Sequence, residues 1–242
     1  MHLALHELAS RHRFTALGWA WPLVRQLVQL AVLYFVFTSI FDLGIDDYAV
    51  FLFAGLIAWS WFFSAVGDGT GAVAAQRHLL LHPRCPAEAL PLVPVAAASV
   101  DALIALPVLL AVVAASGTLH LTALLLPALA AIQLVLMVGV VWLTSAANVY
   151  LRDVRQIVTV GLLLLFYLTP VFYELGKVPE DYQWVLQLNP LTTLIEGYRD
   201  VLLEERLPDA LPLLAVAAAS VAIGAAGLAF FSRLRPGFID EL

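Results

Sequence analysis

A glycine-rich run at residues 67–71, Gly-Asp-Gly-Thr-Gly, is the first feature of the chain that could do chemistry. Glycine-rich loops cradle phosphates, but the phosphate loop of an ATPase also needs a lysine directly after its glycines. The only lysine in the chain is Lys177, far from this run. The run is therefore not a nucleotide site, and any ATP that powers this protein must be hydrolysed by another chain.

Histidine pairs are the next candidates, because two histidines four residues apart on a helix can hold a metal ion. His2 and His6 have this spacing, as do His78 and His82, and Cys85 follows the second pair. Neither a carboxylate nor a cysteine completes a convincing set, so we predict no metal site. No nucleophile elbow or paired-carboxylate site is present, and the basic residues are too scattered for a nucleic-acid surface. We predict neither catalysis nor nucleic-acid binding.

Polar side chains also interrupt long apolar stretches. A charge in lipid must face a protein interior or water, or be neutralised. Asp101 could therefore carry a proton or contact a substrate, or it could make a structural hydrogen bond, for example with Gln133. Arg25 and Gln29 share a helical face by their i,i+4 spacing. They could line the inner mouth of a polar channel, or Arg25 could simply extend to lipid phosphates.

Aromatic residues gather towards one end of two apolar stretches. The first stretch carries Tyr34, Phe37 and Phe41, and the second carries Phe166, Tyr167, Phe172 and Tyr173. Sugar rings have apolar C–H faces that stack on aromatic rings, so these side chains could line a path for a glycan. An aromatic belt at the membrane interface is the alternative interpretation. The predicted path consists of Arg25, Gln29, Tyr34, Phe37, Phe41, Tyr167 and Tyr173.

The elements that must position these residues are membrane-spanning helices. Of the 242 residues, 62% are hydrophobic and 12% are charged, whereas soluble domains have about 45–50% and about 25%. A helix needs about 20 apolar residues to cross a bilayer. We predict an all-α membrane protein, a single transmembrane domain over residues 1–242 with prolines inside three apolar stretches. The six predicted spans are Trp19–Phe41, Tyr48–Val66, Ala89–Ala115, Leu119–Ala147, Ile157–Tyr173 and Leu207–Phe231.

Basic residues indicate the orientation, because cytoplasmic loops carry an excess of lysine and arginine. If the N-terminus is cytoplasmic, nine of the twelve basic residues lie inside, and Lys177, Arg199 and Arg206 lie outside. Both termini are therefore predicted to be cytoplasmic. The nine inner residues are Arg11, Arg13, Arg25, Arg77, Arg84, Arg152, Arg155, Arg233 and Arg235.

Three segments outside the spans have helical patterns. Residues His2–Phe14 fit a short interfacial helix, and the alternative is a frayed polar tail. Residues Gln76–Pro86 fit a short amphipathic helix, which could either dock into a partner or serve only as a charged topological anchor. In Glu174–Arg206, apolar residues recur at helical spacing. Asn189-Pro190 is typical of a helix start, and Thr193 with Glu196 offers a competing capping box. We predict two short amphipathic or re-entrant helices there, between the fifth and sixth spans.

Four stretches of the chain together resemble a known family, the polysaccharide-export class of type-2 ABC transporter permeases. They cover nearly the whole chain in order, and the last is the most specific. They are residues 13–22 (RFTALGWAWP), residues 51–64 (FLFAGLIAWSWFFS), residues 148–153 (NVYLRD) with residues 168–173 (LTPVFY), and residues 189–200 (NPLTTLIEGYRD).

This resemblance implies a multi-pass protein of the plasma (inner) membrane of a bacterium. It implies a channel-forming homodimer that works with two separate ATPase subunits, which bind ATP and magnesium, to export a lipid-linked polysaccharide of the O-antigen, capsule or teichoic-acid type. The residues implied to couple to the ATPase are Arg77, His78, Leu79, His82, Arg11 and Arg13. The residues implied at the outer gate are Asn189, Glu196, Arg199 and Asp200, whose alternative role is helix capping with a Glu196–Arg199 ion pair.

Rival functions remain open from the residues alone. An exporter of drugs or small lipids from the same superfamily would have a similar pattern. A secondary transporter driven by protons would use Asp101. An intramembrane enzyme is disfavoured because no catalytic set is assembled.

Overall fold

The structure, a computed structural model, describes residues 20–40, 44–45, 47–80, 86–117 and 120–241. These residues are mainly helical and contain no β-strand. The predicted interfacial helix at His2–Phe14 lies outside the described residues, as do the predicted site residues Arg11, Arg13, Phe41 and His82. The helices are α1 (Trp21–Phe35), α2 (Tyr48–Thr70), α3 (Ala72–Ala75), α4 (Arg77–Leu80), α5 (Leu92–Ser116), α6 (Leu126–Tyr150), α7 (Asp153–Leu168), α8 (Glu180–Gln187), α9 (Pro190–Leu202), α10 (Ala210–Leu234) and α11 (Phe238–Glu241).

Five helices among the described residues are long and apolar enough to cross a membrane. They are α1 with its π-helical continuation, α2, α5, α6 and α10, and they match five of the six predicted spans within a few residues. Short 3₁₀ turns extend α5 and α6 at their N-terminal ends. Pro107 lies inside α5, whereas Pro127 occupies the first turn of α6, where its missing N–H removes no helical hydrogen bond.

The central element of the bundle is α2. In its most apolar window 72% of the residues are buried, compared with 6% in α1. A helix that is hydrophobic on all sides is suited to such a position. Its neighbours are α1, α5, α6, α7 and α9, so α2 supports most of the other elements.

Three glycines bring α6 and α10 into backbone contact. A Cβ added to Gly139 of α6 would lie 2.6 Å from the main-chain nitrogen of Gly224 in α10. A Cβ added to Gly227 would clash with the carbonyl oxygen of Gly139. Small residues allow membrane helices to approach this closely, and the packing that results replaces the hydrophobic effect as the driving force in lipid.

The predicted fifth span, Ile157–Tyr173, is wrong as a continuous helix. Instead α7 begins earlier, at Asp153, and ends at Leu168. Its length of 16 residues corresponds to about 24 Å, less than the hydrocarbon core of about 30 Å. The helix ends because Pro170 lacks an N–H and disfavours helical geometry at the residue before it. Residues 169–173 continue as turns and bends.

The two short helices predicted between the last spans are present as α8 and α9. Of the residues in α8, only Leu186 is buried. In α9, by contrast, the apolar face is buried against α2, α6 and α10. The amphipathic pattern of the sequence therefore identified a helix that packs into the bundle, and α9 positions the residues of the candidate site.

The two ends of the bundle differ in charge. One end comprises α4, the last turns of α6 and α10 and the first turn of α7, since the Tyr150 hydroxyl donates to the Leu234 carbonyl there. This end carries Arg77, Arg152, Arg155, Arg233 and Arg235, together with the acidic residues Glu88, Asp153 and Glu241. The opposite end, around α8 and α9, carries Glu174, Glu180, Asp181, Glu196, Asp200, Glu204, Glu205 and Asp209 against the basic residues Lys177, Arg199 and Arg206.

Candidate functional site: an arginine-centred junction and its cavity

The start of α9 is fixed by Asn189. Its side-chain oxygen accepts a hydrogen bond from the Leu191 N–H at 3.1 Å, which confirms the predicted helix cap. Its side-chain nitrogen donates to the Thr169 hydroxyl at 2.8 Å. One amide group therefore both starts α9 and ties it to the non-helical segment after α7.

Two substitutions separate these roles. Asn189→Asp keeps the capping acceptor but removes the donor to Thr169, whereas Asn189→Ala removes both. We expect Asn189→Ala to lose about 1 kcal/mol more than Asn189→Asp, since that is the typical contribution of a helix cap. Thermal unfolding of the purified protein in detergent measures this difference. Equal losses would show that the cap contributes nothing.

Arg199 is the centre of the junction. Its side chain is buried, and Nη1 and Nη2 donate to the carbonyls of Pro170 and Val171, each at 2.7 Å. Its Nε donates to the Phe51 carbonyl of α2 at 3.3 Å. The guanidinium also stacks on the Phe51 ring, with Cζ 3.4 Å from the ring centroid. Arg199 thus joins α9, α2 and the segment after α7.

This segment needs such partners because its carbonyls lie outside a helix. A buried carbonyl without a hydrogen bond is costly. Arg199 serves two of these carbonyls, and the Tyr48 hydroxyl donates to another, that of Phe172, at 2.9 Å. Gly55 leaves room for the guanidinium, since a Cβ there would lie 3.0 Å from both Nη2 and the Val171 oxygen.

The predicted ion pair between Glu196 and Arg199 is wrong. All three guanidinium nitrogens of Arg199 donate to main-chain carbonyls. The sequence did contain a signal for this role. Residue 199 is four positions after Ile195 and three before Leu202, so it lies on the apolar face of α9, and both neighbours are buried. A cation on a buried face must find partners in the protein interior.

A second polar link joins α9 to α6. The Tyr198 hydroxyl donates to the Gln133 side-chain oxygen at 3.0 Å, and the Gln133 nitrogen donates to the Ala58 carbonyl of α2 at 2.8 Å. The prediction offered Asp101 as a partner for Gln133, whereas these bonds connect it to α2 and α9. Gln133 therefore belongs to the junction, a role that the sequence alone did not suggest.

A cavity of about 730 Å³ lies beside the junction. Its wall includes three of the four predicted gate residues, because Glu196, Arg199 and Asp200 all contribute to it. Hydroxyl and amide groups of Thr193 and Gln187 also line it. Carboxylates predominate among its charged groups, and they are Asp47, Glu174, Glu196, Asp200, Glu204 and Asp209.

The charges in this cavity are only partly balanced. Arg206 contacts Asp200 at 2.6 Å and Glu204 at 3.0 Å. Burial raises the pKa of the Glu196 carboxyl, and the charge of Arg199 opposes that rise. Burial likewise raises the pKa of Asp200, against the hydrogen bond from Arg206. Burial lowers the pKa of Arg199 to about 9, which leaves it cationic at neutral pH.

The aromatic path residues that the structure describes, which are Tyr34, Phe37, Tyr167 and Tyr173, are brought together next to the junction. Phe37 of the π-helical turn stacks on Phe172 at 5.2 Å, and Tyr34 stacks on Tyr48 at 6.2 Å. The Tyr173 hydroxyl donates to the main-chain oxygen of Tyr167. Aromatic side chains of α1, α2 and α7 therefore form one continuous patch.

The other predicted path and coupling residues that the structure describes lie apart from this patch. Arg25 is exposed on the first turns of α1, and Gln29 is half-buried one turn further on. Their neighbour Gln26 is the residue that faces inwards, and it donates to the Ser60 hydroxyl at 2.7 Å. Of the predicted coupling residues, Arg77 and His78 are exposed on α4, and Leu79 is half-buried.

The fold and this site define a multi-pass helical membrane protein whose polar junction ties a short helix to the spanning bundle. The sequence pattern described as ABC-2 type transporter matches residues 2–203. An O-antigen export system permease protein RfbA from Myxococcus xanthus is 34% identical over 245 residues, covering 99% of this chain and 94% of that protein. The protein of the same name from Klebsiella pneumoniae is 26% identical over 239 residues, covering 98% and 92%.

The chain belongs to the ABC-2 type transporter family, because the match covers most of its length. It is a multi-pass protein of the bacterial plasma membrane and a transport subunit rather than an enzyme. Among the described residues, no group of three or more histidine, cysteine or acidic side chains is arranged to hold a metal ion.

Proposed function

We propose that this chain is the channel-forming membrane subunit of an ABC exporter that moves a lipid-linked polysaccharide of the O-antigen type. The observation that carries the proposal is the 34% identity to an O-antigen export permease, which extends over 99% of the chain. The match therefore includes the junction and the short helices as well as the spans.

Six crossings account for the charge distribution. In the proposed topology α7 and residues 169–173 together make the fifth crossing, and the side chains of the junction satisfy the non-helical part. The arginine-rich end of the bundle then faces the cytoplasm, together with both termini, in agreement with the excess of basic residues in cytoplasmic loops. The junction, α8 and α9 lie at the outer surface.

The cavity and the aromatic patch suit a glycan at this outer end. Carboxylates, amides and hydroxyls accept and donate hydrogen bonds to sugar hydroxyls, and aromatic rings stack on the apolar faces of sugars. The cavity contains the first kind of group and the patch contains the second. We propose that the glycan leaves along this route, and that Glu196 and Asp200 contribute to the gate from the cavity wall.

ATP is hydrolysed by a separate pair of ATPase subunits, and a second copy of this chain completes the channel. The exposed Arg77 and His78 of α4 are the proposed contacts with the ATPase. ATP drives transport only if the substrate has different affinities for two conformations of the exporter. The ATPase must therefore change how the two copies pack around the glycan.

Reconstitution tests the proposal directly. The purified chain and its ATPase are placed in vesicles with a lipid-linked O-antigen polysaccharide, and both glycan translocation and ATP turnover are measured. We expect translocation that depends on ATP. A glycan that neither crosses the membrane nor alters ATP turnover would rule out the polysaccharide assignment.

Asp101 distinguishes this proposal from transport driven by protons. It lies in α5 and is only partly exposed. Because ATP supplies the free energy, we expect Asp101→Asn to retain ATP-dependent translocation within about twofold, well below the 5–150-fold range of typical coupling effects. The same vesicles with an imposed pH gradient and no ATP serve as the control. Translocation driven by the gradient and abolished by Asp101→Asn would support the secondary transporter instead.

A further inference from the structure

A small apolar cluster joins α4 to the end of the chain. Leu79 and Leu80 of α4 pack against it, together with Trp142 and Leu234. This cluster is separate from the main core around α2. Within the part of the chain that the structure describes, α4 therefore rests mainly on the ends of other elements. The buried members of the cluster are Val73, Ala87, Leu90, Ala146, Val149, Phe231 and Phe238.

Phe238 lies at the centre of this cluster. It follows α10 in the C-terminal segment, residues 235–241, and its side chain is 1% exposed. Its ring meets that of Phe231 edge-to-face at 5.2 Å and that of Tyr150 at 6.2 Å. Aromatic pairs of this geometry add to the stabilisation from burial alone. The C-terminal segment is thus packed against the last turns of both α6 and α10.

Polar contacts hold the 3₁₀ turn Ala87–Ala89, which precedes α5, in the same place. Arg235 forms an ion pair with Glu88, with Nη1 2.8 Å from Oε1. The Trp142 indole of α6 donates to the Glu88 carbonyl at 3.1 Å. Glu88 is therefore held from two sides, by its side chain to the C-terminal segment and by its main chain to α6.

We propose that the C-terminal segment is a positioning element for energy coupling. It holds α4 and the turn Ala87–Ala89 against α6 and α10. A force applied to α4 therefore moves α6 and α10 together. They are suited to move as one unit because their backbones touch at Gly139 and Gly227. The inference rests on the proposed function, since it takes α4 as the contact with the ATPase.

The ion pair offers the sharpest test, because both side chains are partly exposed, so a substitution there does not open a hole in the apolar cluster. Arg235→Glu replaces the pair with two carboxylates, and the double variant with Glu88→Arg restores opposite charges. In vesicles containing the chain and its ATPase, we expect Arg235→Glu to lower the glycan translocated per ATP hydrolysed by about fivefold or more. The double variant should recover most of this ratio.

Phe238→Ala should lower the same ratio, whereas Ile239→Ala is the matched control because that side chain is 59% exposed. If the unaltered protein does not transport, the proposed function fails. If it transports and Arg235→Glu behaves like Ile239→Ala, the positioning role is overturned. Loss of ATPase co-purification in Arg235→Glu would also overturn it, because a positioning element leaves docking intact. If Phe238→Ala does not fold, the charge-exchange series decides.

Discussion

Replacing Arg199 by alanine is expected to cause the largest loss of stability among single substitutions in the junction. The change removes the donors to the Pro170 and Val171 carbonyls, which have no helical partners, and the stacking on Phe51. A buried acceptor left unsatisfied costs about 1–3 kcal/mol, so we expect a loss of about 3 kcal/mol or more. The temperature at which the protein unfolds in detergent reports this loss.

Two further variants show whether the guanidinium itself matters. Arg199→Lys keeps the charge, but a single ammonium group cannot reproduce the planar fork that reaches two successive carbonyls. We therefore expect Arg199→Lys to lie between the natural protein and Arg199→Ala. Arg206→Ala is the control, since this side chain is 62% exposed and surface ion pairs contribute about 0–1 kcal/mol. An Arg199→Ala protein as stable as the Arg206→Ala protein would contradict the role of the junction.

Gly227→Ala is expected to have the second-largest effect, because the added methyl group would clash with the Gly139 carbonyl and push α10 away from α6. Overpacking costs about 1–3 kcal/mol, occasionally more. For a chain of this size each kcal/mol changes the unfolding temperature by about 2–4 °C. We expect the unfolding temperature to fall by about 5 °C or more, with loss of transport.

Gly224→Ala is the matched control, one turn earlier on the same helix. A Cβ at Gly224 would lie 3.7 Å from the Val135 side chain, which is ordinary van der Waals contact. Alanine also favours a helix over glycine by about 1 kcal/mol, so we expect no loss of stability. If both substitutions were equally harmful, general sensitivity of α10 rather than contact with Gly139 would explain the result.

The local patterns in the sequence predicted local structure well. The apolar runs predicted five long helices, and the Asn189-Pro190 pair predicted the start of α9. Both depend on nearby residues only, on the length of a hydrophobic run and on a cap closed within two positions. The prediction failed at α7, where the apolar run continued to Tyr173 but the helix ended at Leu168. Hydrophobicity alone does not register the geometric effect of Pro170.

The contacts of the site could not be read in the same way. Arg199 is bonded to Phe51, which is 148 residues away in the chain, and to Pro170 and Val171, which are 29 and 28 residues away. From spacing alone, Glu196 was the natural partner. The carbonyl partners became available to Arg199 only when α9 packed against α2 beside Gly55. Once the cation is buried there, several carbonyls are better partners than the Glu196 carboxylate at the cavity surface.

The amino-acid sequence was sufficient to predict that the chain lies in a membrane, where five of its long helices lie, and that the short helix α9 is amphipathic. Those properties follow from composition and periodicity, which act over one helix at a time. The tertiary structure alone decided which carbonyls Arg199 binds, that α6 and α10 touch through their backbones, and that the C-terminal segment packs under α4. Each of these contacts joins residues far apart in the chain, so each depends on how the helices pack against one another.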